Sequence, residues 1–254
     1  LTGVVALVLF AAGCSGGGSG DRIAFASDRD GDYEIFVMNA DGTDVRQLTS
    51  NEDDEMFPAW SPDGNRIAFM SNRDGDYEIF VMNADGGAVR QLTDNYNSDS
   101  TPAWSPDGNH IAFMSNRGGE FNIFVMNADG GAVRQLTDND DFESTPAWSP
   151  DGSKIAYQRN RITYAEMDIV VMNADGTGAH QITDYKTTDP STMSMMPTWS
   201  PDGRMIAFVR EPWGVGDTEI FVMNRDGPGF TQLTHDNYHA DFGRCGRRTA
   251  ARSH

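Results

Sequence analysis

Cysteine and positive charge are both scarce in this sequence. Its 254 residues include two cysteines, Cys14 and Cys245, and neither stands in a Cys/His cluster, so a zinc site and a disulfide framework are not expected. Lys and Arg number 19 against 38 Asp and Glu, which gives a net charge of −19. Because nucleic acid is bound through Lys- and Arg-rich surfaces, this charge excludes nucleic acid as a partner. It fits a cationic partner, a bound metal or solubility alone.

Long apolar runs are also rare. The most apolar segment, residues 3–12, has the length of a signal-peptide core and is too short to span a bilayer as a helix. It leads to small residues directly before Cys14, a pattern that resembles the bacterial lipobox with Ala11 where Leu is usual, and a Gly/Ser tether follows at 15–21. Residues 1–14 are therefore predicted to be a signal peptide, with Cys14 lipidated and the domain anchored to a bacterial membrane in the cell envelope. The alternative is an ordinary cleaved signal or a fragment of a membrane helix, and export is expected either way.

Sustained helical periodicity is absent, and two repeated phrases take its place. Pro-Ala-Trp-Ser-Pro-Asp-Gly begins at Pro58 and returns, with one change, at three later positions. Ile-Phe-Val-Met-Asn-Ala-Asp-Gly begins at Ile35 and recurs four times, unchanged at Ile79 and Ile123 and with one residue changed at Ile169 and Ile220. The tryptophans of the first phrase, which are 44, 44 and 51 residues apart, are Trp60, Trp104, Trp148 and Trp199. A fixed period of this length indicates a solenoid, a propeller or an array.

Each repeat is predicted to form four short strands, which we label a to d from the Pro-Ala-Trp strand onward. The strands are rich in Ile, Val, Phe and Thr, and Ser-Pro-Asp-Gly and Asn-Ala-Asp-Gly provide the turn residues between them. Four antiparallel strands in each repeat predict an all-β protein, a β-propeller of about five four-stranded blades over residues 22–241. The units begin near Arg22, Arg66, His110, Lys154 and Met205. The first unit lacks its own strand a, which is also compatible with truncation from a propeller of six or more blades.

The last residues depart from the repeat. Residues 242–254 are abruptly basic and contain no further Ser-Pro-Asp-Gly, so they are predicted to be a disordered tail. A reading-frame shift near Gly243 and simple divergence are both open explanations.

With the repeats laid out, the chain resembles the TolB-like β-propeller repeat family over about residues 21–241. The features that carry this resemblance are Pro-x-Trp-Ser-Pro-Asp-Gly, Ile-Ala-Phe, Ile-Phe-Val-Met-Asn-Ala-Asp-Gly and Gln-Leu-Thr. The family includes periplasmic TolB, which the resemblance describes as binding a peptidoglycan-associated lipoprotein, as well as surface lipoproteins and the propeller domains of prolyl oligopeptidase-type enzymes. A WD40-like propeller lipoprotein is expected here and not a full TolB, because there is no room between Cys14 and Asp21 for TolB's additional α/β domain.

The connections between strands predict which end of the propeller binds a partner. The a–b and c–d turns, nearly identical in every unit, belong to one end, the turn face. The b–c and d–a loops vary, hold most of the 38 acidic residues, and belong to the other end, the loop face. Variable loops on a rigid scaffold are where binding sites are usually built, although loops also collect charge simply because they are solvated. The residues predicted to contact a partner are Trp213, Met193, Met195, Met196, Asp53, Asp54, Glu55, Asp140 and Asp141.

Alternating carboxylates in two b–c loops suggest calcium, which prefers six to eight oxygen ligands. The candidate ligands are Asp28, Asp30, Asp32, Asp74 and Asp76. The favoured alternative is a polar hairpin turn in which Asp-Gly sets the bend. No other cofactor is expected.

The expected function is a non-enzymatic, monomeric scaffold that binds a protein or an envelope polymer through the loop face. No Ser/His/Asp motif, phosphate loop or pair of carboxylates in an apolar setting predicts a catalytic residue. The alternatives are a lyase or hydrolase with acidic residues around the central channel, and a calcium-binding structural module.

Overall fold

A computed structural model describes residues 22–29, 31–161, 166–183, 192–212, 218–227 and 229–234. All of the regular structure in these residues is β-strand, as predicted. The strands are β1 (Arg22–Ser27), β2 (Glu34–Asn39), β3 (Arg46–Gln47), β4 (Glu55–Trp60), β5 (Arg66–Ser71), β6 (Glu78–Asn83), β7 (Arg90–Gln91), β8 (Asp99–Trp104), β9 (His110–Ser115), β10 (Asn122–Asn127), β11 (Arg134–Gln135), β12 (Phe142–Trp148), β13 (Lys154–Arg161), β14 (Glu166–Asn173), β15 (His180–Gln181), β16 (Thr192–Trp199), β17 (Met205–Pro212), β18 (Glu219–Asn224) and β19 (Phe230–Gln232). Within these ranges no helix is long and apolar enough to cross a membrane.

The strands form five antiparallel sheets, each built from consecutive strands in chain order. These are the five blades of a β-propeller: blade 1 is β1–β3, blade 2 is β4–β7, blade 3 is β8–β11, blade 4 is β12–β15 and blade 5 is β16–β19. Blades 2 to 5 have the order a-b-c-d, whereas blade 1 has three described strands, equivalent to b, c and d. The predicted architecture of a five-bladed β-propeller is therefore confirmed.

In blades 2 to 4 the b and c strands are largely buried on both faces because each blade is covered by its neighbours. In blade 2, Ile67, Phe69 and Ile79 are fully buried, and so are their equivalents in blade 3. The hydrophobic core is divided into clusters that lie between successive blades. In one of them Val81 of blade 2 packs with Phe113 of blade 3. Continuous apolar runs such as Ile-Phe-Val-Met follow from this double burial.

The Ser-Pro-Asp-Gly turn holds strands a and b together at the turn face. In blade 2 the Gly64 N–H donates to the Ser61 carbonyl at 2.9 Å, and the Ser61 hydroxyl donates to the Asp63 carboxylate at 2.6 Å. Gly64 has a φ of 68°, which explains why this position is glycine in every copy. The same bonds recur in the later blades, so the invariant phrase is a structural turn.

Each strand a contains a β-bulge at its proline. In blade 2 the pairing of β4 with β5 shifts between Met56 and Ala59, which leaves Phe57 and Pro58 outside the ladder. A proline has no N–H to donate, so within a sheet it is confined to edge strands, strand starts and bulges, and here it lies at a bulge of an edge strand. The residue before each proline has a positive φ; these residues are Phe57, Thr101, Thr145 and Met196.

The repeated tryptophans join neighbouring blades. The indole N–H of Trp104 donates to the Ala59 carbonyl of the preceding blade at 3.2 Å, and Trp148 donates to Ala103 at the same distance. The indole N–H of Trp60 is buried without a hydrogen-bond partner within the described part of the chain. Its equivalent acceptor would lie on a strand a of blade 1, which the described sheet does not contain.

This difference predicts unequal effects of Trp-to-Phe substitution. Trp104→Phe and Trp148→Phe each remove a hydrogen bond and leave a main-chain carbonyl without its donor, whereas Trp60→Phe removes none among the described residues. We expect the two bonded positions to lose about 1 kcal/mol more of the free energy of unfolding than position 60. Urea unfolding of the three variants measures this, and equal losses at all three positions would contradict the role given to the indole N–H.

Candidate functional site

The strand pairing brings the variable loops together at one end of the propeller. In blade 2, Ser71 at the end of strand b pairs with Glu55 at the start of strand a and with Glu78 at the start of strand c. The b–c and d–a loops of the blade therefore emerge from the same edge. At the opposite edge Ile67 pairs with Trp60 and with Met82, next to the two turns. The loop face and the turn face are thus real opposite ends of each blade.

Beneath the loop face, two carboxyl groups meet at the junction of blades 1 and 2. Glu34 begins strand c of blade 1 and Glu55 begins strand a of blade 2, and both are buried. Asn51 bridges them: its main-chain N–H donates to Glu34 at 2.6 Å and its side-chain amide donates to Glu55 at 2.6 Å. Arg73 pairs with Glu55 at 2.9 Å and supplies the positive charge. Burial, followed by the hydrogen bond to Glu55, raises the pKa of Glu34 to about 7.

The junction of blades 2 and 3 repeats this arrangement. Glu78 and Asp99 are buried, and Asn95 donates its main-chain N–H to Glu78 at 2.6 Å and its side-chain amide to Asp99 at 2.9 Å. Thr93 donates its hydroxyl to Glu78, and Arg117 pairs with Asp99 at 2.5 Å. Burial, with smaller contributions from the neighbouring Asp99, raises the pKa of Glu78 to about 7. Below that pH the buried Glu78 carboxyl group carries a proton.

The next junction lacks the acid pair because an amide replaces one member. Asn122 occupies the position of Glu78 and accepts the Thr137 hydroxyl at 3.1 Å. Glu143 occupies the position of Asp99 and pairs with Arg159 at 3.2 Å. The same propeller therefore has junctions with two buried acids and a junction with one, which can be compared directly.

The acidic residues predicted to contact a partner are placed in different environments. Asp140 is exposed, and Asp53, Asp54 and Asp141 are partly exposed on the loop face. Asp54 is tied to the scaffold, since its carboxylate accepts the Tyr33 N–H at 3.1 Å. Glu55 departs from the expectation of an exposed contact. Its side chain is fully enclosed and neutralised by Arg73, so it stabilises the junction from within.

The methionines predicted to contact a partner are partly accessible. Met196 is 40% exposed and occupies the bulge of β16 with a φ of 54°. Met193 and Met195, on the same strand, are half-buried. Trp213, Cys14 and Asp30, which the sequence also singled out, lie outside the described residues.

The b–c loops considered for calcium contain tight turns. The Gly31 N–H donates to the Asp28 carbonyl at 3.1 Å, and the Gly75 N–H donates to the Asn72 carbonyl at 2.9 Å. Both glycines have positive φ, the geometry of the hairpin alternative. In the part of the chain that the structure describes, no three His, Cys, Asp or Glu side chains form a group suited to a metal ion. A calcium role for Asp28, Asp32, Asp74 and Asp76 stays a prediction.

Tyr96 is an exposed aromatic residue of the loop face that sequence analysis missed. Its side chain is fully exposed in the loop that precedes strand a of blade 3. The loop position is held by Glu52 before blade 2 and by Asp140 before blade 4. An alignment of the three loops would have found it, because an aromatic residue at a solvated, otherwise acidic position has no packing role.

The comparisons with known proteins agree with this architecture. A sequence model of the TolB beta propeller domain matches residues 16–76 and 52–242. The solved structure of a putative TolB from Agrobacterium tumefaciens is similar with a TM-score of 0.71 and 24% identity, covering 84% of this chain and 76% of that chain. The structure of TolB from Acinetobacter baumannii is similar with a TM-score of 0.70 and 22% identity, covering 86% of this chain and 54% of that chain.

More distant similarity extends to an enzyme. Oligogalacturonate lyase from Vibrio parahaemolyticus matches with a TM-score of 0.61 and 15% identity, covering 83% of this chain and 61% of that chain. At such identities the likeness to solved structures shows the fold alone. Among curated proteins, none matches this chain significantly.

The acid pairs predict that stability falls as pH rises. The pKa of Glu78 is raised from 4.5 to about 7, so the folded state holds a proton that the unfolded chain releases between these values. The contribution of Glu78 to stability is thus fully present below pH 4.5 and is lost as the pH rises through 7. Glu78→Gln copies the uncharged form of the side chain: its oxygen can still accept the Asn95 main-chain N–H, and its amide does not titrate in this pH range. Between pH 5 and pH 8 we expect the free energy of unfolding of the wild type to fall by on the order of 3 kcal/mol more than that of Glu78→Gln.

Urea unfolding of the wild type and of Glu78→Gln at the two pH values measures this difference. Glu52→Gln, which removes an exposed carboxylate from the loop face, is the matched control and is expected to leave the pH dependence unchanged. A pH dependence that is the same in Glu78→Gln as in the wild type would show that the pair does not share a proton.

Proposed function

This chain belongs to the TolB β-propeller domain family, and from that membership we propose that it is a non-enzymatic binding scaffold of the bacterial cell envelope. Lipidation at Cys14 anchors it to the membrane, and the monomeric propeller presents its loop face to a protein or an envelope polymer. The observation that carries this proposal is the contrast between the two ends of the blades. The turns are nearly invariant and closed by their own hydrogen bonds, whereas the loops differ from blade to blade and expose charged and aromatic side chains.

The chemistry of the loop face favours a partner with a basic surface. Asp140 and Glu52 are exposed there, and Asp53 and Asp141 are partly exposed. Tyr96 stands among these loops as an aromatic side chain of the kind that dominates binding energy at protein interfaces. Acidic side chains would steer a Lys- or Arg-rich partner toward this face, and Tyr96 would supply apolar contact area.

The enzyme alternative is less well supported by the environment of the titratable groups. A general acid near neutral pH requires a carboxyl group with a raised pKa that also meets the substrate. Glu34 and Glu78 satisfy the first condition, but they are 2% and 1% exposed and are hydrogen-bonded to neighbouring side chains and main chain. Their surroundings suit a structural role at the blade junctions.

A photo-crosslinking experiment tests the binding proposal. A photoreactive phenylalanine analogue replaces Tyr96 on the loop face or Val89, a 42% exposed residue beside the c–d turn of blade 2. Irradiation of envelopes from the native host is followed by mass spectrometry. We expect Tyr96 to give a defined adduct and Val89 to give none. An adduct from Val89 alone would place the interface at the wrong end of the propeller.

Substitution at the loop face then measures its contribution. Tyr96→Ser is expected to weaken binding of the crosslinked partner at least about tenfold, because truncating a central aromatic residue typically costs more than 1 kcal/mol. Val89→Ser serves as the control at an exposed residue of the turn face and is expected to bind as the wild type does. Calorimetry with purified components provides the affinities, and equal affinity of both variants would contradict the proposed interface.

The membrane anchor has a separate test. Cys14→Ser removes the only thiol in the predicted lipobox, so the protein should move from the membrane fraction to the soluble fraction and lose incorporation of a labelled fatty acid. Cys245→Ser is the matched control and should retain both. Retention of the label in Cys14→Ser would exclude lipidation at this residue.

A further inference from the structure

A cation covers the repeated tryptophan at the first two blade junctions. Arg22 begins strand b of blade 1, and its guanidinium lies 5.3 Å from the ring centroid of Trp60 in blade 2. Arg66 begins strand b of blade 2 and lies 4.5 Å from the ring of Trp104 in blade 3. Beneath Arg66, Trp104 is only 8% exposed. The chain thus uses its own guanidinium groups to cover the indole faces near the turn face, a favourable cation–π arrangement.

The next junction has the tryptophan without the arginine at the start of strand b. His110 takes the position of Arg66 at the start of strand b in blade 3, and the imidazole is considerably shorter than an arginine side chain. Trp148 of blade 4 is half-buried. A groove of about 410 Å³ lies here. Its lining includes Asp107, His110, Arg134, Trp148, Asp151 and Asp175.

The groove is strongly acidic, and its carboxylates are held in the charged form. The hydroxyl of Ser149 donates to Asp151 at 2.6 Å and, with two further hydrogen bonds from Ser153, lowers the pKa of Asp151 to about 2. Hydrogen bonds from neighbouring hydroxyl and main-chain groups likewise lower the pKa values of Asp107 and Asp175. The cation of the groove, Arg134, has its guanidinium directed to the main-chain carbonyl of Asp175 at 2.9 Å.

We propose that this junction groove binds an arginine side chain presented by a partner polypeptide, with the guanidinium lying over Trp148 as that of Arg66 lies over Trp104. The Asp107, Asp151 and Asp175 carboxylates provide the complementary charge. Arginine is favoured over other cations because its planar guanidinium both stacks on indole and pairs with carboxylates. The site is at the turn face, opposite to the loop face, so it is independent of the proposed function.

The test uses the full chain and a blocked tripeptide, acetyl-Gly-Arg-Gly-amide, as the probe. The five indole N–H signals are followed by NMR during titration, with the Trp148 signal assigned from Trp148→Phe. We expect saturable shifts of the Trp148 signal, and at least tenfold weaker shifts with the citrulline tripeptide, which is uncharged. Free arginine is titrated in parallel. Binding of free arginine tenfold or more tighter than the tripeptide would overturn the assignment to a polypeptide ligand.

Two exchanged variants provide the decisive comparison, because each copies the residue of the sister junction. His110→Arg places the chain's own guanidinium over Trp148 and should abolish binding of the tripeptide. Arg66→His should open a second groove, so that the Trp104 signal also shifts and two tripeptides bind. His110→Lys, which copies Lys154 of blade 4, is the substitute if His110→Arg fails to fold. Unchanged binding in a folded His110→Arg or His110→Lys variant would refute the proposal.

Discussion

The stacking of one sheet against the next is the interaction on which this structure depends. A single blade presents two apolar faces, and neither the Ile-Ala-Phe strand nor the Ile-Phe-Val-Met strand can be shielded from water within one sheet. Val81 of one blade and Phe113 of the next become buried only when the blades meet. Burial of this kind contributes about 25 cal/mol for each Å² of apolar surface removed from water. The repeats are therefore stable together and not singly, as in other repeat architectures.

Stacking also determines where polar groups can be tolerated. Near the turn face, the indole N–H groups of Trp104, Trp148 and Trp199 each donate to a carbonyl of the preceding blade. An arginine side chain covers each of the first two indole rings. Near the loop face, an asparagine bridges two buried acids across the junction. Both arrangements satisfy polar atoms that stacking has removed from water, as buried polar groups require. The loops beyond these layers are free to vary because the polar layer beneath them completes the junction.

Most of the fold could be predicted from the sequence because its determinants are local and repeated. The period of the repeats, the composition of the strands and the residues of the turns predicted the blades, the turn face and the loop face. The bulges were missed, although a proline within each strand a was a visible signal. The enclosure of Glu55 could not be predicted, since Arg73 reaches it from another strand and only the register brings them together. Recognising Tyr96 and the groove beside His110 required a comparison of equivalent positions across the blades, since neither Tyr96 nor His110 is unusual in isolation.

Blade 3 shows how a repeat protein acquires differences without changing its scaffold. Asn122 near the loop face removes one member of an acid pair, and His110 near the turn face uncovers an indole ring. Both residues lie on the face of blade 3 that packs against blade 4. The strands β9 and β10 nevertheless keep the register of their equivalents in blade 2. The apolar interior between the two ends fixes that register, because a slip by one residue would move every side chain to the opposite face of the sheet, against the wrong neighbouring blade. Substitutions at the strand ends can therefore alter charge or open a groove while the core continues to determine the fold.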